Sequence, residues 1–208
     1  MNRSIRKAYV LFAALLVLWW GPASGEFGLG FNPTASFVSQ NGTFTADIVI
    51  TGLAAEQLIV STYDFTITFD PAILQFVSAS PTGALGADSV FLTSGSPGEV
   101  ELFEVSLLAD AELALTQNVN FLALATLTFT AGDLGTSPLA FGSLLALGGA
   151  QFLDPPNGFV TTDLLTLSHT VGSATATVEA ARVPEPPTYL LLLLAWPLLA
   201  RRLKHHPD

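Results

Sequence analysis

Cysteine is absent from the chain, which excludes disulfides, thiolate metal sites and a cysteine nucleophile. Packing and hydrogen bonds must hold the fold. Basic residues are absent where they would matter most. Arg3, Arg6 and Lys7 lie near one end and Arg182, Arg201, Arg202 and Lys204 near the other, so no Lys or Arg falls within residues 26–181. Of the 17 Asp and Glu residues only Glu185 and Asp208 lie outside that span, which leaves it with fifteen carboxylates. Salt bridges to Lys or Arg are impossible inside it. Nucleic acid and anionic lipid are excluded as partners, because both are bound by neutralising phosphates. Tryptophan is also missing there, since Trp19, Trp20 and Trp196 all sit in the end segments and Tyr63 is the span's one tyrosine. The flat aromatic platforms on which sugars stack are therefore scarce.

The two ends carry addresses. Arg3, Arg6 and Lys7 precede an apolar run over residues 8–20, and Ala23-Ser24-Gly25 follows as a small-residue cleavage site. This is the layout of a secretory signal peptide, with signal peptidase expected to cut between Gly25 and Glu26. At the other end Val183, Pro184, Glu185 and Pro186 precede an apolar run over residues 189–200, followed by Arg201, Arg202 and Lys204. That run rises only about 18 Å as a helix against a hydrocarbon core of about 30 Å, and Pro197 interrupts it. It is apolar on every face, unlike the last amphipathic helix of a fold.

The C-terminal pattern resembles the PEP-CTERM sorting signal of Gram-negative bacteria. The resemblance implies transient insertion in the inner membrane with the basic end in the cytoplasm, processing by an exosortase near the Pro-Glu-Pro, and delivery to the cell surface or extracellular matrix. Two departures stand out: five consecutive leucines, Leu190 to Leu194, replace the usual small residues, and Arg-Arg-Leu-Lys replaces a longer arginine run. The chain divides accordingly into a signal peptide (1–25), one body domain (26–181) and a linker with the sorting signal (182–208). The body is long enough for one sizeable core and too short for two.

Within the body, alternating residues flank Asn41-Gly42, the dipeptide that best takes the positive φ angles of a tight turn, and predict a hairpin. In "YDFTITFDPAILQFVSAS" Phe65, Ile67 and Phe69 share one strand face, Thr66 and Thr68 the other, and Asp70-Pro71 ends the strand before a second begins. Further strands are expected at 90–93, 99–108, 121–130, 138–147, 164–171 and 175–178. Gly/Pro-rich loops such as "TSGSPGE" and "LDPPNG" separate them, and only "LADAELALTQ" suits a short helix. Many short strands with intervening turns indicate an all-β, antiparallel sandwich.

The Phe-x-Ile-x-Phe-Asp-Pro-x-x-Leu-x-Phe-Val pattern starting at Phe65, with the segment from Val100 to Phe141, resembles the cohesin-type domain. The resemblance implies a jelly-roll β-sandwich of about nine strands, related to some carbohydrate-binding modules, flanked here by the signal peptide and the hydrophobic sorting helix. Cohesins of cellulosomes bind dockerins through one sheet face, but no docking residue matches by motif. The expected function is that of an exported, non-enzymatic protein acting by adhesion or protein interaction. The alternative is a carbohydrate-binding module acting on secreted exopolysaccharide.

Candidate chemistry is sparse. His169 is the body's single histidine, and no G-x-S-x-G elbow accompanies it. Glu99 and Glu101 are two apart and face water on one side of their strand. Glu104 shares a face with Leu102, so it is expected to be half-buried and structural. A hydrolase using Glu104 or Asp70 would need a second acid at the right distance. Phe152 and Phe159, flanking "LDPPNG", are candidates for an apolar contact patch. No catalytic residue, metal site or cofactor is assigned, since no closely spaced Asp/Asn calcium loop occurs.

Diffuse stabilisation by cations is expected, because fifteen uncompensated carboxylates repel one another. Thermal melts in low-salt buffer should shift upward on addition of NaCl or millimolar Ca²⁺; a melting temperature that ignores both would remove self-repulsion as a constraint on this fold.

Overall fold

The computed structural model describes residues 26–153 and 158–181. The signal peptide, its Gly25 cleavage position, and the sorting-signal residues Val183, Pro184, Glu185, Pro186, Arg201 and Arg202 lie outside the described residues, whereas Glu26 is exposed at their start. Among the described residues no helix is long and apolar enough to cross a membrane.

Two sheets face each other. The first, of five strands, runs in the order β11 (His169–Val171), β1 (Phe27–Asn32), β3 (Thr43–Thr51), β8 (Phe121–Ala131) and β5 (Leu74–Pro81). The second, of seven, runs β2 (Ala35–Ser39), β12 (Ala174–Glu179), β9 (Gly135–Leu153), β4 (Leu58–Thr68), β7 (Glu99–Val105) and β6 (Val90–Ser96), with β10 (Gly158–Asp163) pairing β9. Two short helices are added: α1 (Leu53–Glu56) between β3 and β4, and α2 (Asp110–Gln117) between β7 and β8. The "LADAELALTQ" segment is thus helical, as its composition predicts.

Alternation builds the core. In β4 Tyr63, Phe65 and Ile67 point inward, in β7 Val100 and Leu102, and from the opposing sheet Ile48, Ile50, Leu127 and Phe129 meet them, all fully buried. Aromatic pairs lock the layers, with Phe129 edge-on to Phe69 at 5.1 Å and Phe65 edge-on to Phe141 at 5.6 Å. Every side chain of the principal buried cluster falls between Phe27 and Val178, so the core lies within the span 26–181.

Three expectations need correction. The Asn41-Gly42 turn exists, with Asn41 at φ 63° and Gly42 N–H donating to Ser39 at 2.8 Å, but the strands it joins do not pair. β2 lies parallel to β12, and β3 pairs β1 and β8. The turn therefore crosses between sheets, because the buried face of β3, Phe44, Ala46 and Ile48, belongs to the layer opposite β2. Secondly, the strand expected at 164–171 is divided into a 3₁₀ turn at Leu164–Thr166 and the short β11. Asp163 caps that turn by accepting from the Leu165 amide at 3.0 Å. Thirdly, twelve strands replace about nine: β1 and β10 are additions, and β9 extends well beyond 138–147.

β9 reaches that length because it serves three neighbours. Gly135 to Leu139 pair β12, Gly148 to Leu153 pair β10, and β4 runs along the other side. Close approach requires glycine at 149, where a Cβ would collide with the Ile59 carbonyl. Gly142 and Leu145 are skipped in the register with β4, and Val77 is skipped in the register of β5 with β8. These bulges explain why Leu145 and Val77, apolar residues within strands, are exposed. Where β4 outruns β7, a side chain replaces the missing strand. Gln117, fully buried, accepts from the Val60 amide at 2.7 Å and donates to the carbonyls of Val60 at 2.9 Å and Ala84 at 3.0 Å. One amide group thereby ties α2, β4 and the 82–89 loop together.

Candidate interaction surface

The outer face of the seven-stranded sheet is a grid fixed by register. Across β4, β7 and β6 its rows are Thr62, Val105 and Val90, then Asp64, Phe103 and Leu92, then Thr66, Glu101 and Ser94, and finally Thr68, Glu99 and Ser96. The first two rows are apolar apart from Thr62 and Asp64, and the last two are hydroxyl-bearing or acidic. Leu92 is 60% exposed and Val90 43%, while Phe103 between them is half-buried. Asp64, Leu92, Ser94, Glu101 and Phe103 border a shallow concavity of about 450 Å³ on this face.

Asp64 sits on the boundary of the two halves. Its Oδ1 atom is buried without a hydrogen-bond partner. Burial raises its carboxyl above the ordinary carboxylate range, and the neighbouring charge of Glu101 adds to the effect. Its neighbours cannot relieve it: the Ser94 hydroxyl donates to Glu101 at 3.1 Å and the Ser143 hydroxyl donates to Thr66 at 2.7 Å. A donor brought by another molecule would find an acceptor already stripped of water.

Beneath this face lies Glu104, wholly buried rather than half-buried as its sequence neighbours suggest. It has no cation, yet it is served. The Tyr63 hydroxyl donates to Oε2 at 2.7 Å and the Ser89 hydroxyl to Oε1 at 2.5 Å. Burial, then the Glu104 hydrogen bond and charge, push the Tyr63 hydroxyl far above its ordinary value, so it remains a proton donor throughout the physiological range. Tyr63 stacks on Phe65 at 5.0 Å inside the sandwich. The body's single tyrosine is thus unavailable as a sugar platform, and Glu104 is a strut between β4, β7 and the loop carrying Ser89.

The other candidates are placed plainly. Glu99 and Glu101 are exposed, as the strand period predicts. Asp70 Oδ1 accepts from the Ala72 amide at 2.9 Å, and its own amide donates to the buried Ser137 hydroxyl at 2.9 Å, so its polar atoms are used in making a turn. His169 stacks on Phe27 at 5.3 Å with Nδ1 2.9 Å from the Leu167 carbonyl oxygen. Phe152 and Phe159 pair edge to face at 5.2 Å across β9 and β10, half-buried. Among the described residues no group of three or more His, Asp or Glu is placed to hold a metal ion. Asp64, Phe103 and Leu92 were not singled out from sequence. The alternation Tyr63-Asp64-Phe65 does place Asp64 opposite the core, but only the strand pairing sets it beside Phe103 and Leu92.

A cohesin-domain family model matches residues 33–151, more than half of the 208-residue chain. No curated protein matches. Among solved structures, the seventh ScaB type I cohesin from Pseudobacteroides cellulosolvens aligns at a TM-score of 0.56 with 14% identity, over 77% of this chain and 96% of that one. The sixth cohesin of scaffoldin B from Acetivibrio cellulolyticus, in complex with a mutant Cel5 dockerin, aligns at 0.52 with 13% identity over 74% and 99%. The OlpA cohesin from Clostridium thermocellum, in a type I cohesin–dockerin complex, aligns at 0.52 with 9% identity over 74% and 99%. At these identities the likeness is one of fold.

Two outcomes follow from the buried and half-buried acids. Glu104→Leu leaves the Tyr63 and Ser89 hydroxyls unpaired and should cost about 2–4 kcal/mol in urea unfolding, with Glu104→Gln costing roughly 1–2; an unchanged midpoint for Glu104→Gln would show that the strut contributes nothing. Asp64, its carboxyl raised in the folded state, subtracts stability as pH climbs through and above the ordinary carboxylate range. Asp64→Asn should therefore raise the melting temperature at pH 7 and leave it unchanged near pH 3, where both carboxyls are protonated; an equal shift at both pH values would exclude ionisation as the cause.

Proposed function

Because the chain belongs to the cohesin-domain family, we propose that it is a non-enzymatic docking module that takes a protein partner on the outer face of β9, β4, β7 and β6. The observation that carries this reading is the half-buried Asp64, unpartnered at Oδ1, on the border between an apolar patch and an acidic one. A partner presenting an apolar side chain to Phe103 and Leu92 and a lysine or arginine to Asp64 and Glu101 would satisfy both halves at once. Arginine suits the second role, since its fork of donors can engage two carboxylates. Truncating one side of such a desolvated charge pair commonly costs several kcal/mol, while the exposed glutamates steer the encounter. On the other sheet the rows Gln75, Thr130 and Thr43, then Ser78, Thr128 and Thr45, are hydroxyl- or amide-bearing instead. Solved neighbours in complex with dockerins support protein recognition as the mode of action.

The same reading includes export. The signal-peptide pattern of residues 1–25 and the PEP-CTERM-like pattern of residues 182–208 support passage through the inner membrane, removal of the leader by signal peptidase, processing by an exosortase and a final place at the cell surface or in the extracellular matrix. Placed there, the acidic domain would display its sheet face to other exported proteins.

Immobilised 26–181 is the direct probe, offered in parallel to the secreted proteins and the exopolysaccharide of the native host. The expected result is a protein retained by the unaltered domain and by Thr128→Ala, and lost on Leu92→Asp or Asp64→Lys. Retention of polysaccharide instead, indifferent to Leu92→Asp, would favour the carbohydrate-binding alternative and overturn the docking face. Export is read separately, by intact-mass and terminal-peptide mass spectrometry of the protein from its host. An extracellular species starting near Glu26 and ending near the Pro-Glu-Pro is expected; a membrane species retained through Asp208 would make the domain an envelope-tethered one.

A further inference from the structure

The end of the sandwich that carries α2 holds a second apolar surface, remote from the acidic rows of the sheet face. α2 is eight residues long and has two apolar faces. One is accounted for by the core: Leu113 is fully buried and packs with Ile59 and Ala150. On the other, the exposed Ala111 and Leu115 and the half-buried Ala114, which also packs on that cluster, follow the i, i+3, i+4 spacing of a helix stripe, and the polar C-cap Asn118 continues it at i+7. Leu115 is 85% exposed, the most exposed large apolar side chain among the described residues. Together with Leu53, Ile59, Phe152 and Phe159 this stripe lines an open groove of about 440 Å³. The sequence candidates Phe152 and Phe159 therefore form one wall of a groove rather than a patch of their own.

We propose that this groove is a separate docking site for an amphipathic helical segment whose apolar stripe is flanked by lysine or arginine. Shape and size favour a helix, because two turns of α2 on one side and the β9–β10 hairpin on the other leave a trough rather than a flat face, as in helix-in-groove recognition. Charge decides the flanks. Glu56, Asp110 and Glu112 adjoin the lining residues, and the domain has no Lys or Arg to offset them. A second copy of this chain would bring its own carboxylates to the same place, so self-association through the groove is opposed by charge. The described chain ends at Ala181, just after β12, whose partner residues Gly135 to Leu139 form the end of β9 opposite Phe152. The groove thus opens away from the point where the C-terminal segment departs.

The test uses a fluorescein-labelled peptide of about 14 residues with leucines at i, i+3, i+4 and i+7 and lysines elsewhere, and a twin with glutamates in place of the lysines. Anisotropy titrations with 26–181 should show saturable one-to-one binding of the lysine peptide and none of the glutamate twin. Leu115→Ser should weaken binding by about tenfold or more, and Leu92→Ser, on the sheet face, should leave it unchanged. Ala111→Arg, at an exposed position, should weaken it equally and serves if Leu115→Ser alters the melting temperature. The proposal is overturned if the lysine peptide fails to saturate, if both α2 variants bind as the unaltered domain does, or if Leu92→Ser alone abolishes binding.

Discussion

A domain with fifteen carboxylates and no Lys or Arg must satisfy its acids with neutral donors or leave them in water. That constraint shapes the whole sandwich. Glu104 is met by two hydroxyls, Asp47 by Thr126, Glu101 by Ser94, and Asp70, Glu112 and Asp163 by backbone amides at turns and helix starts. Each arrangement puts a donor with no charge of its own beside a carboxyl, and each fixes a local geometry in doing so. Asp64 is the described acid in which the scheme leaves a buried oxygen unmet. An acceptor of that kind can gain a partner from another molecule, and with the apolar and acidic rows beside it this makes the outer sheet face the place of contact we propose.

The core obeys the companion constraint, the lack of disulfides. Two layers of alternating Phe, Ile and Leu close on each other, and the joints where regular pairing fails are repaired by single polar side chains. Gln117 continues the ladder past the end of β7, and Glu104 braces Tyr63 and Ser89 across the same region. Among the exposed apolar residues, Leu145 and Val77 are accounted for by bulges.

Much of this was legible one strand at a time. The alternation in "YDFTITF" and "EVELFEV" assigned inside and outside correctly for Phe65, Ile67, Glu99 and Glu101, and the helical composition of "LADAELALTQ" was a sufficient signal for α2. The Asn-Gly turn was also correct as a turn. What failed was partner choice: a local turn signal cannot say whether the strands on either side will share a sheet, because that depends on which layer buries their apolar faces. The depth of Glu104 was missed for a similar reason, since Ser89 and Tyr63 reach it from distant positions in the chain.

The sequence by itself determined the class of fold, the absence of disulfides and of Lys or Arg salt bridges within 26–181, and the strand faces, because composition and a period of two are local properties. Only the tertiary structure decided which strands pair and so which side chains stand side by side. Asp64 beside Phe103 and Leu92, Gln117 within the β4 ladder, and Leu115 over a groove rather than a core all arise from contacts between segments far apart in the chain. Register, set by the burial of whole faces, turns those scattered residues into surfaces.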